Sequence, residues 1–467
     1  MLYLLYREQR IIEEENKCQI EKLARKLARW LTTNLYANIT KLLNNIISTK
    51  EFLNRHKLEE SAFTRERLLP FKLVILFIIN LLKSSIQNEL DKFYKIISGN
   101  ELPERQITNS AFCQARKKLS HKAFEELNKE QTKYFYDNVN YNRWNSFRLV
   151  AIDGSTLIVP KNEQTIREFG EFTHSPKKST VVIARVSQSY DVLNKITLDS
   201  IISPLSEGEL DLAARHIKSS SEKKMNDLYL FDRGYNAFWL FNMILTEGSN
   251  FCARIKVGNW KAAQELIDSS QREMITEIKP SKTTTIRKCK ELGISIEPMT
   301  VRFISIDLDN GDKEVLITSL LDLKKYPYEL FKDLYHNRWT IEERYKIMKS
   351  RIEVENFSGK STEAIKQDFY ALVFTQNLTA ILAFPVHEKI IENNKNKKYD
   401  YQINWTQAIA KMKDTIVLLF TRDNIGKVIN KLQEHFLSNI QSIRLNRKFP
   451  RIPRPKRHYY MAYKPIS

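Results

Sequence analysis

Three carboxylates stand at positions where acidic chemistry could be built. Asp153 follows an apolar run in FRLVAIDGS, Asp232 follows a second one in LYLFDRG, and Glu342 lies in a helical pattern. Neighbouring strand ends and a helix packed on the same sheet can bring three such groups together. Two carboxylates about 4 Å apart repel by roughly 4 kcal/mol at an effective dielectric near 20, and a bound cation removes that repulsion. We therefore predict a site for two divalent cations, and oxygen ligands favour Mg²⁺ or Mn²⁺.

A stripe of polar side chains accompanies Glu342. The stretch YHNRWTIEERYKIMK contains no Gly or Pro and predicts one uninterrupted helix. At about 100° per residue, four polar groups share one narrow face of this helix, and a fifth extends it. These groups are Tyr335, Arg338, Glu342 and Lys349, extended by Lys346. Arginine and lysine side chains bind phosphates, so the pattern indicates phosphoryl transfer, in which two metal ions activate water or a 3′-hydroxyl and stabilise the leaving oxygen.

The same residues also have ordinary structural interpretations. An Asp at the end of a strand is commonly a turn residue, and Glu342 could simply pair with Lys346 one helical turn away. Histidine, cysteine and nucleotide-loop chemistry have little support. The eight histidines lack ligand spacing, the four cysteines lack a CxxC motif, and no P-loop, GxGxxG or GxSxG is present.

The charge of the chain is its strongest global signal. Its 467 residues include 75 Lys and Arg against 55 Asp and Glu, which gives a net charge of +20 and a pI near 9.5. A protein this basic usually binds a polyanion, most often nucleic acid, although a Lys-rich composition inherited from an AT-rich genome is an alternative. The longest apolar run, 71–82, is too short to span a bilayer, and no signal-peptide pattern is evident. We therefore expect a soluble, cytoplasmic protein with no membrane partner.

Hydrophobic periodicity divides the chain into regions. Helical spacing dominates at first, whereas β-branched runs alternate with helical patterns after about residue 145. This order predicts a mixed fold of the α+β or α/β class, in which a mixed sheet is flanked by helices. The predicted regions are a helical N-terminal DNA-binding domain (1–145), a catalytic core (146–256 and 313–385), a β-rich insertion (257–312) and a helical C-terminal region with a basic, proline-containing tail (386–467).

Two short helices near the end of the N-terminal region are a candidate DNA-reading pair. They are predicted from TNSAFCQARKKL and SHKAFEELNKEQ, with Thr108 and Ser120 as N-caps, and the first carries Arg116. A helix-turn-helix unit and an ordinary αα-hairpin of a helical bundle share this pattern. Both interpretations stay open at the level of sequence.

The order of the motifs resembles that of a known family. DGS at Asp153, DRGY at Asp232 and Y-x2-R-x3-E-x6-K from Tyr335 to Lys349 are similar to the DDE transposases of the insertion-sequence 4 family in bacteria. All four positions of that family's YREK motif match, and the resemblance covers roughly residues 60–385.

The resemblance implies an RNase H-like catalytic core, with Asp153, Asp232 and Glu342 as the catalytic ligands of two Mg²⁺ ions, for which Mn²⁺ would substitute. It also implies excision and strand transfer of a mobile element, double-stranded DNA as the partner, a homodimer that joins two transposon ends, and a nucleoid-associated location. Related enzymes form a DNA hairpin while a Trp of the insertion holds a flipped base. Trp260 is the only Trp in the predicted insertion and stands at its start, so it is the candidate base contact, and the hairpin step stays open.

Two other functions share parts of this pattern. An inactive or domesticated relative would bind DNA through the helical domain and the basic tail without cutting it. A two-metal DNA nuclease would use the same acids without strand transfer. All three acids are present, which favours an active transposase.

Overall fold

The computed structural model describes residues 34–65, 68–81, 84–173, 180–221, 225–308 and 311–444. Its centre is a mixed sheet, to which nine strands of the described chain contribute. The strands are β1 (Arg148–Val159), β2 (Glu171–Phe172), β3 (Val181–Asp191), β4 (Ile196–Pro204), β5 (Asp227–Phe231), β6 (Asn250–Ile255), β7 (Glu273–Ile278), β8 (Met299–Asp307) and β9 (Lys313–Thr318). The helical pattern predicted before residue 34 and the basic tail predicted beyond residue 444 lie outside the described residues.

Helices precede, interrupt and follow these strands. Those before the sheet are α1 (34–48), α2 (Lys50–His56), α3 (Phe71–Ile79), α4 (Ile86–Ser98), α5 (Asn109–Arg116) and α6 (Lys122–Asn138). Those between its strands are α7 (Glu163–Phe169), α8 (Glu209–Ser221), α9 (Phe238–Thr246), α10 (Lys261–Asp268) and α11 (Thr283–Leu292). Those after it are α12 (Leu330–His336), α13 (Trp339–Ser350), α14 (Thr362–Asn393), α15 (Trp405–Thr421) and α16 (Ile425–Ser438), and a small hairpin pairs β10 (Tyr401–Ile403) with β11 (Ile440–Ser442).

Five strands at the centre of the sheet follow the order β4-β3-β1-β5-β6. β4, β3 and β1 are antiparallel neighbours, whereas β5 and β6 run parallel to β1. Three antiparallel strands followed by two parallel ones, which are reached through α8 and α9, form the RNase H-like arrangement. The predicted mixed fold with an RNase H-like core is confirmed.

Side chains of β1 alternate between two hydrophobic cores. Leu149 and Ala151 belong to the core that includes α6, α13 and α14, while Val150 and Ile152 belong to the core formed with α8 and α9. A period of two is the pattern of a strand that is buried on both faces. The sheet therefore carries helices on both faces, as the sequence predicted.

The segment predicted as a β-rich insertion contains helices as well as strands. α10 and α11 alternate with β7 and β8, because KAAQELID and TTTIRKCKEL have the apolar spacing of short amphipathic helices. β8 pairs with β9, and β9 pairs with β6, so these strands continue the main sheet. The domain boundaries given above stay a prediction.

α14 runs through the interior of the protein. By length and composition it could cross a bilayer, but 89% of its apolar window is buried inside the structure. Several of its buried polar residues bond to protein groups; the Asn377 amide, for example, donates to the Thr197 carbonyl at 2.7 Å. Burial of this kind is typical of a core helix.

The two helices considered as a DNA-reading pair are joined to α14 by a buried arginine. Arg116, at the end of α5, donates to Gln367, Ser358 and the Ala364 carbonyl, and its Nη2 lies 2.7 Å from Asp368 Oδ1. A guanidinium with these partners does not reach a DNA groove, so the structure favours the αα-hairpin. Thr108 caps α5 as predicted.

The predicted N-cap at Ser120 is wrong. α6 starts one residue later, after His121, whose side chain makes no capping hydrogen bond. The Ser120 side chain accepts only the Lys122 N–H, at 3.3 Å, while the Glu363 carboxylate accepts the His121 N–H. A tertiary contact with α14 thus replaces the local cap.

Candidate active site

The strand that carries Asp153 runs further than the sequence predicts. β1 continues through the DGS motif, because β3 pairs with it without interruption from Val150 to Val159. On its other side, β5 pairs with β1 only from Arg148 to Ala151. The predicted strand end at Asp153 is therefore wrong. On the side that faces β5, β1 is nevertheless no longer paired at Asp153, as would be the case at a strand end.

Asp232 follows the last residue of β5 directly, as predicted. It starts a short 3-10 turn, in which its Oδ1 accepts the Gly234 N–H at 2.7 Å. Asp153 Oδ1 accepts the Gly154 N–H at 2.8 Å. Space is tight at the glycines of both motifs: a Cβ added at Gly234 would lie 3.0 Å from Asp232 Oδ1, and one added at Gly154 would lie 3.2 Å from Glu209 Oε1. Because β1 and β5 are parallel neighbours, Asp153 and Asp232 both lie just beyond the carboxyl end of the segment over which these strands pair.

The helix predicted as uninterrupted around Glu342 is divided between α12 and α13. Between them the backbone hydrogen bonds shorten to i→i+3, as from the Arg338 N–H to the Tyr335 carbonyl at 3.0 Å. The Asn337 side chain donates to a carbonyl of the preceding turn at 2.8 Å. Such bonds compete with the regular helix and tighten it locally. Tyr335 therefore belongs to α12, although Asn337 (φ −59°, ψ −24°) and Arg338 (φ −56°, ψ −34°) keep right-handed helical backbone angles.

α13 packs against β1 at the residue that carries the first acid. Ile341, Tyr345 and Met348 are buried. The Tyr345 hydroxyl donates to the backbone carbonyl of Asp153 at 2.9 Å. This bond fixes the helix to the strand and brings Glu342, less than one turn earlier, towards the acids of the sheet.

Glu342 is paired with an arginine. Arg338 Nη2 lies 2.6 Å from Glu342 Oε1, and the Arg338 side chain is only 5% exposed. Its guanidinium also stands 4.8 Å from the centre of the Trp339 ring and 5.8 Å from that of Tyr335. The alternative pairing of Glu342 with Lys346 is not observed. The Lys346 side chain is exposed to solvent instead.

The three predicted acids interact electrostatically. Burial raises the pKa of Asp153 to about 7, and the negative charges of Asp232 and Glu342 add to this rise. The Gly154 N–H and the Arg338 guanidinium act in the opposite direction. A buried carboxyl that faces two others costs free energy unless a cation or a proton neutralises it. The structure thus brings Asp153, Asp232 and Glu342 into one acidic cluster.

Comparison with known proteins identifies the family. The model of the transposase DDE domain matches residues 144–378, which is half of the chain and includes all three acids. This chain belongs to the DDE transposase family. The predicted resemblance to the insertion-sequence 4 family is confirmed, because the transposase is 21% identical over 334 residues to transposase InsG for insertion sequence element IS4 from Escherichia coli K12. That match covers 70% of this chain and 73% of the relative.

Two further similarities are more limited. Putative transposase y4zB of Sinorhizobium fredii NGR234 is 26% identical over 157 residues, which are 33% of this transposase and 42% of the relative. The cryo-EM structure of a piggyBac transposase synaptic complex with hairpin DNA matches with a TM-score of 0.45 and 10% identity. It covers 86% of this chain and 85% of that one.

The acids of the transposase fit a divalent cation by their chemistry. They supply carboxylate oxygens only, and the pKa of Asp153 is raised first by burial and then by the negative charges of Asp232 and Glu342. Within the ranges that the structure describes, however, no three acidic, histidine or cysteine side chains are close enough to hold one ion as they stand. Glu342 is paired with Arg338, so one of the three carboxylates faces a protein cation.

The remaining predicted phosphate contacts lie on both helices. Tyr335 is buried in α12, and its hydroxyl has no hydrogen-bond partner. The Nε of Arg338 is buried without a partner as well. Lys349 is half-buried in the last turn of α13, and Lys346 is exposed one turn earlier. The tightened turn lies between Tyr335 and the other residues, yet the Tyr335 ring remains 5.8 Å from the Arg338 guanidinium, which binds Glu342 and has an unpaired Nε.

Trp260 stands beside the second acidic motif. It precedes α10, is half-buried, and its Nε1 donates to Asn236 Oδ1 at 2.8 Å. Asn236 follows the DRGY motif that begins at Asp232. The structure therefore brings the candidate base contact close to the acids, and its role towards DNA stays a prediction.

Two tyrosines at the site were missed by sequence reasoning. Tyr345 bonds to the Asp153 carbonyl, and Tyr235 has a buried hydroxyl near the acids. Tyr345 stands among the apolar residues of α13, so the pattern indicated packing alone. Tyr235 is the last letter of DRGY, which is the one signal that could have identified it.

Proposed function

We propose that this protein is an active transposase that cleaves DNA at the ends of an insertion sequence and joins them to target DNA. The single observation that carries the proposal is the acidic cluster of Asp153, Asp232 and Glu342 within a DDE transposase domain. A repulsive cluster of three carboxylates at an open sheet edge is the donor set that two-metal phosphoryl transfer needs.

Asp153, Asp232 and Glu342 would hold two Mg²⁺ or Mn²⁺ ions, which would activate the attacking hydroxyl and stabilise the leaving oxygen. The other residues act on the DNA. Arg338 is placed to bind a phosphate instead of Glu342, since a guanidinium binds phosphate and carboxylate oxygens through the same donors. Its unpartnered Nε provides a further donor for this purpose.

Tyr335, Lys349 and Lys346 would extend the phosphate contacts along the DNA strand. Trp260 would contact a base near the cleaved bond, because the Asn236 side chain ties it to the turn that begins at Asp232. The net charge of +20 supports double-stranded DNA as the partner, because Lys and Arg side chains attract its phosphates. This attraction weakens as the salt concentration rises. We further propose a homodimer that joins two transposon ends, and a cytoplasmic, nucleoid-associated location.

The proposal is tested on the DNA ends that flank the coding sequence. Asp153→Asn, Asp232→Asn and Glu342→Gln should each abolish Mg²⁺-dependent cleavage while binding to the ends survives. Glu343→Gln is the matched control, since Glu343 is exposed on the same helix. Cleavage that persists in the Glu342→Gln variant would remove that residue from the assignment.

The products separate the alternative functions. DNA joined to a target duplex supports transposition and excludes a nuclease without strand transfer. Salt-dependent binding without any nicking in Mg²⁺ or Mn²⁺ would instead show an inactive, DNA-binding relative.

A further inference from the structure

Tyr235 has a hydroxyl group that the packing of the protein does not explain. Its side chain is 1% exposed, and its hydroxyl is buried without a hydrogen-bond partner. Buried hydroxyls are nearly always bonded, because an unbonded one loses its hydration without compensation. The Tyr235 ring packs against the Phe231 ring, with the ring centres 5.3 Å apart, and this contact does not involve the hydroxyl. A phenylalanine at position 235 would fill the same space.

The hydroxyl lies among the acids of the site. Tyr235 ends the 3-10 turn that begins at Asp232. After burial, the negative charges of Asp153, Glu209 and Asp232, in that order, raise the pKa of its phenol. Glu209 is itself satisfied, because its Oε1 lies 2.5 Å from Arg185 Nη1. The carboxylate that acts most strongly on the phenol is therefore that of Asp153.

Asp153 has the capacity to accept one more hydrogen bond. Its Oδ1 accepts the Gly154 N–H, and Asp232 Oδ1 is likewise bonded within its own turn. We propose that Tyr235 is a positioning residue: its hydroxyl, which is unbonded in this structure, donates to the Asp153 carboxylate when a divalent cation is bound there, and so orients that carboxylate. This inference rests on the proposed function. Groups that orient metal ligands in this way typically change metal affinity or activity by about 10- to 100-fold.

The test uses the full chain and the variant Tyr235→Phe, which removes the hydroxyl alone. We expect Mn²⁺ affinity, measured by calorimetry without DNA, to fall about 10- to 100-fold, and cleavage to fall with it. Binding to the DNA ends should be unchanged. The Tm without metal should be unchanged or higher, because an unbonded buried hydroxyl is lost. Tyr229→Phe is the control. Tyr229 lies in the same core, but beside Asp227 and not beside the three acids of the site, so this substitution should leave Mn²⁺ affinity unchanged.

A double variant separates positioning from a structural effect. If Tyr235 acts through Asp153, Tyr235→Phe combined with Asp153→Asn should bind Mn²⁺ no more weakly than Asp153→Asn alone. Additive losses, or Mn²⁺ affinity in Tyr235→Phe equal to that of the unchanged protein, would overturn the inference and leave the proposed function intact. Equal Mn²⁺ binding by the unchanged protein and Asp153→Asn would overturn the proposed function, and the inference with it.

Discussion

The guanidinium of Arg338 holds the carboxylate of Glu342 at 2.6 Å, one turn apart at the start of α13. The order of the pair is the less favourable one for helix stability, in which the cation precedes the acid. The arginine is buried and the glutamate is 39% exposed, so the acid can leave while the cation stays. Under the proposed function, a phosphate that binds Arg338 would therefore free Glu342 for a cation.

Arg338→Gln should separate the two functions of this pair. We expect cleavage of the DNA ends to fall by about 100-fold, because a preorganised donor to the phosphate is lost. Mn²⁺ affinity without DNA should be retained or should increase, since Glu342 is then free. Calorimetry and a single-turnover cleavage assay measure the two quantities. A parallel loss of Mn²⁺ affinity would show that Arg338 supports the metal site instead of competing with it.

The stability of the metal-free protein should depend on Asp153 and pH. The folded-state pKa is raised from 3.8 to about 7, so the folded protein binds a proton more tightly than the unfolded chain. The free energy of unfolding therefore falls as pH rises from about 4 to 7, by about 4 kcal/mol from this group. Denaturant unfolding in EDTA should show this slope, and Asp153→Asn should remove it. Equal slopes in both proteins would contradict the assigned burial of Asp153.

Tyr345→Phe should loosen α13 from the sheet. The lost hydrogen bond to the Asp153 carbonyl should reduce the free energy of unfolding by about 1 kcal/mol. Cleavage should also fall, because Glu342 is less firmly placed. Tyr94→Phe is the matched control: its hydroxyl also donates to a backbone carbonyl, that of Leu68, in the N-terminal helices. It should lose similar stability in denaturant unfolding and keep full cleavage activity.

Arg116→Met should act on stability and not on DNA recognition. It leaves Asp368 without its buried partner, and breaking such a pair costs about 3–5 kcal/mol. Chemical unfolding measures this loss, and fluorescence anisotropy measures binding to the DNA ends. Lys117→Ala, next in sequence and exposed, provides the comparison. A folded Arg116→Met protein with weakened, sequence-selective binding would restore the helix-turn-helix interpretation.

The sequence predicted the parts of the site that depend on local pattern. Asp232 at the end of a buried five-residue strand and the mixed sheet both follow from runs of β-branched and apolar residues. The extension of β1 past Asp153 could not be predicted in this way, because it depends on pairing with β3, some thirty residues later. Local pattern does not specify such a partner.

The helix around Glu342 shows a second limit. It contains no Gly or Pro, yet the side-chain bond of Asn337 and the i→i+3 bonds at Arg338 divide it. The partner of Glu342 also differed from the predicted alternative, since Arg338 is buried by the fold while Lys346 remains in solvent. Tyr235 packs as a phenylalanine would, so hydrophobic periodicity does not distinguish it, and only its place in DRGY does.

The continuation of the sheet from β6 through β9 into β8 and β7 has a mechanical consequence. Backbone hydrogen bonds join β1 and β5, which carry the acids, through β6 and β9 to β8 and β7, which follow Trp260 in the chain. The two groups of strands therefore belong to one continuous sheet. The hydrogen bond from the Trp260 side chain to Asn236 also ties Trp260 to the turn that begins at Asp232. Under the proposed function, a base held by Trp260 would therefore stand a fixed number of nucleotides from the bond that is cleaved.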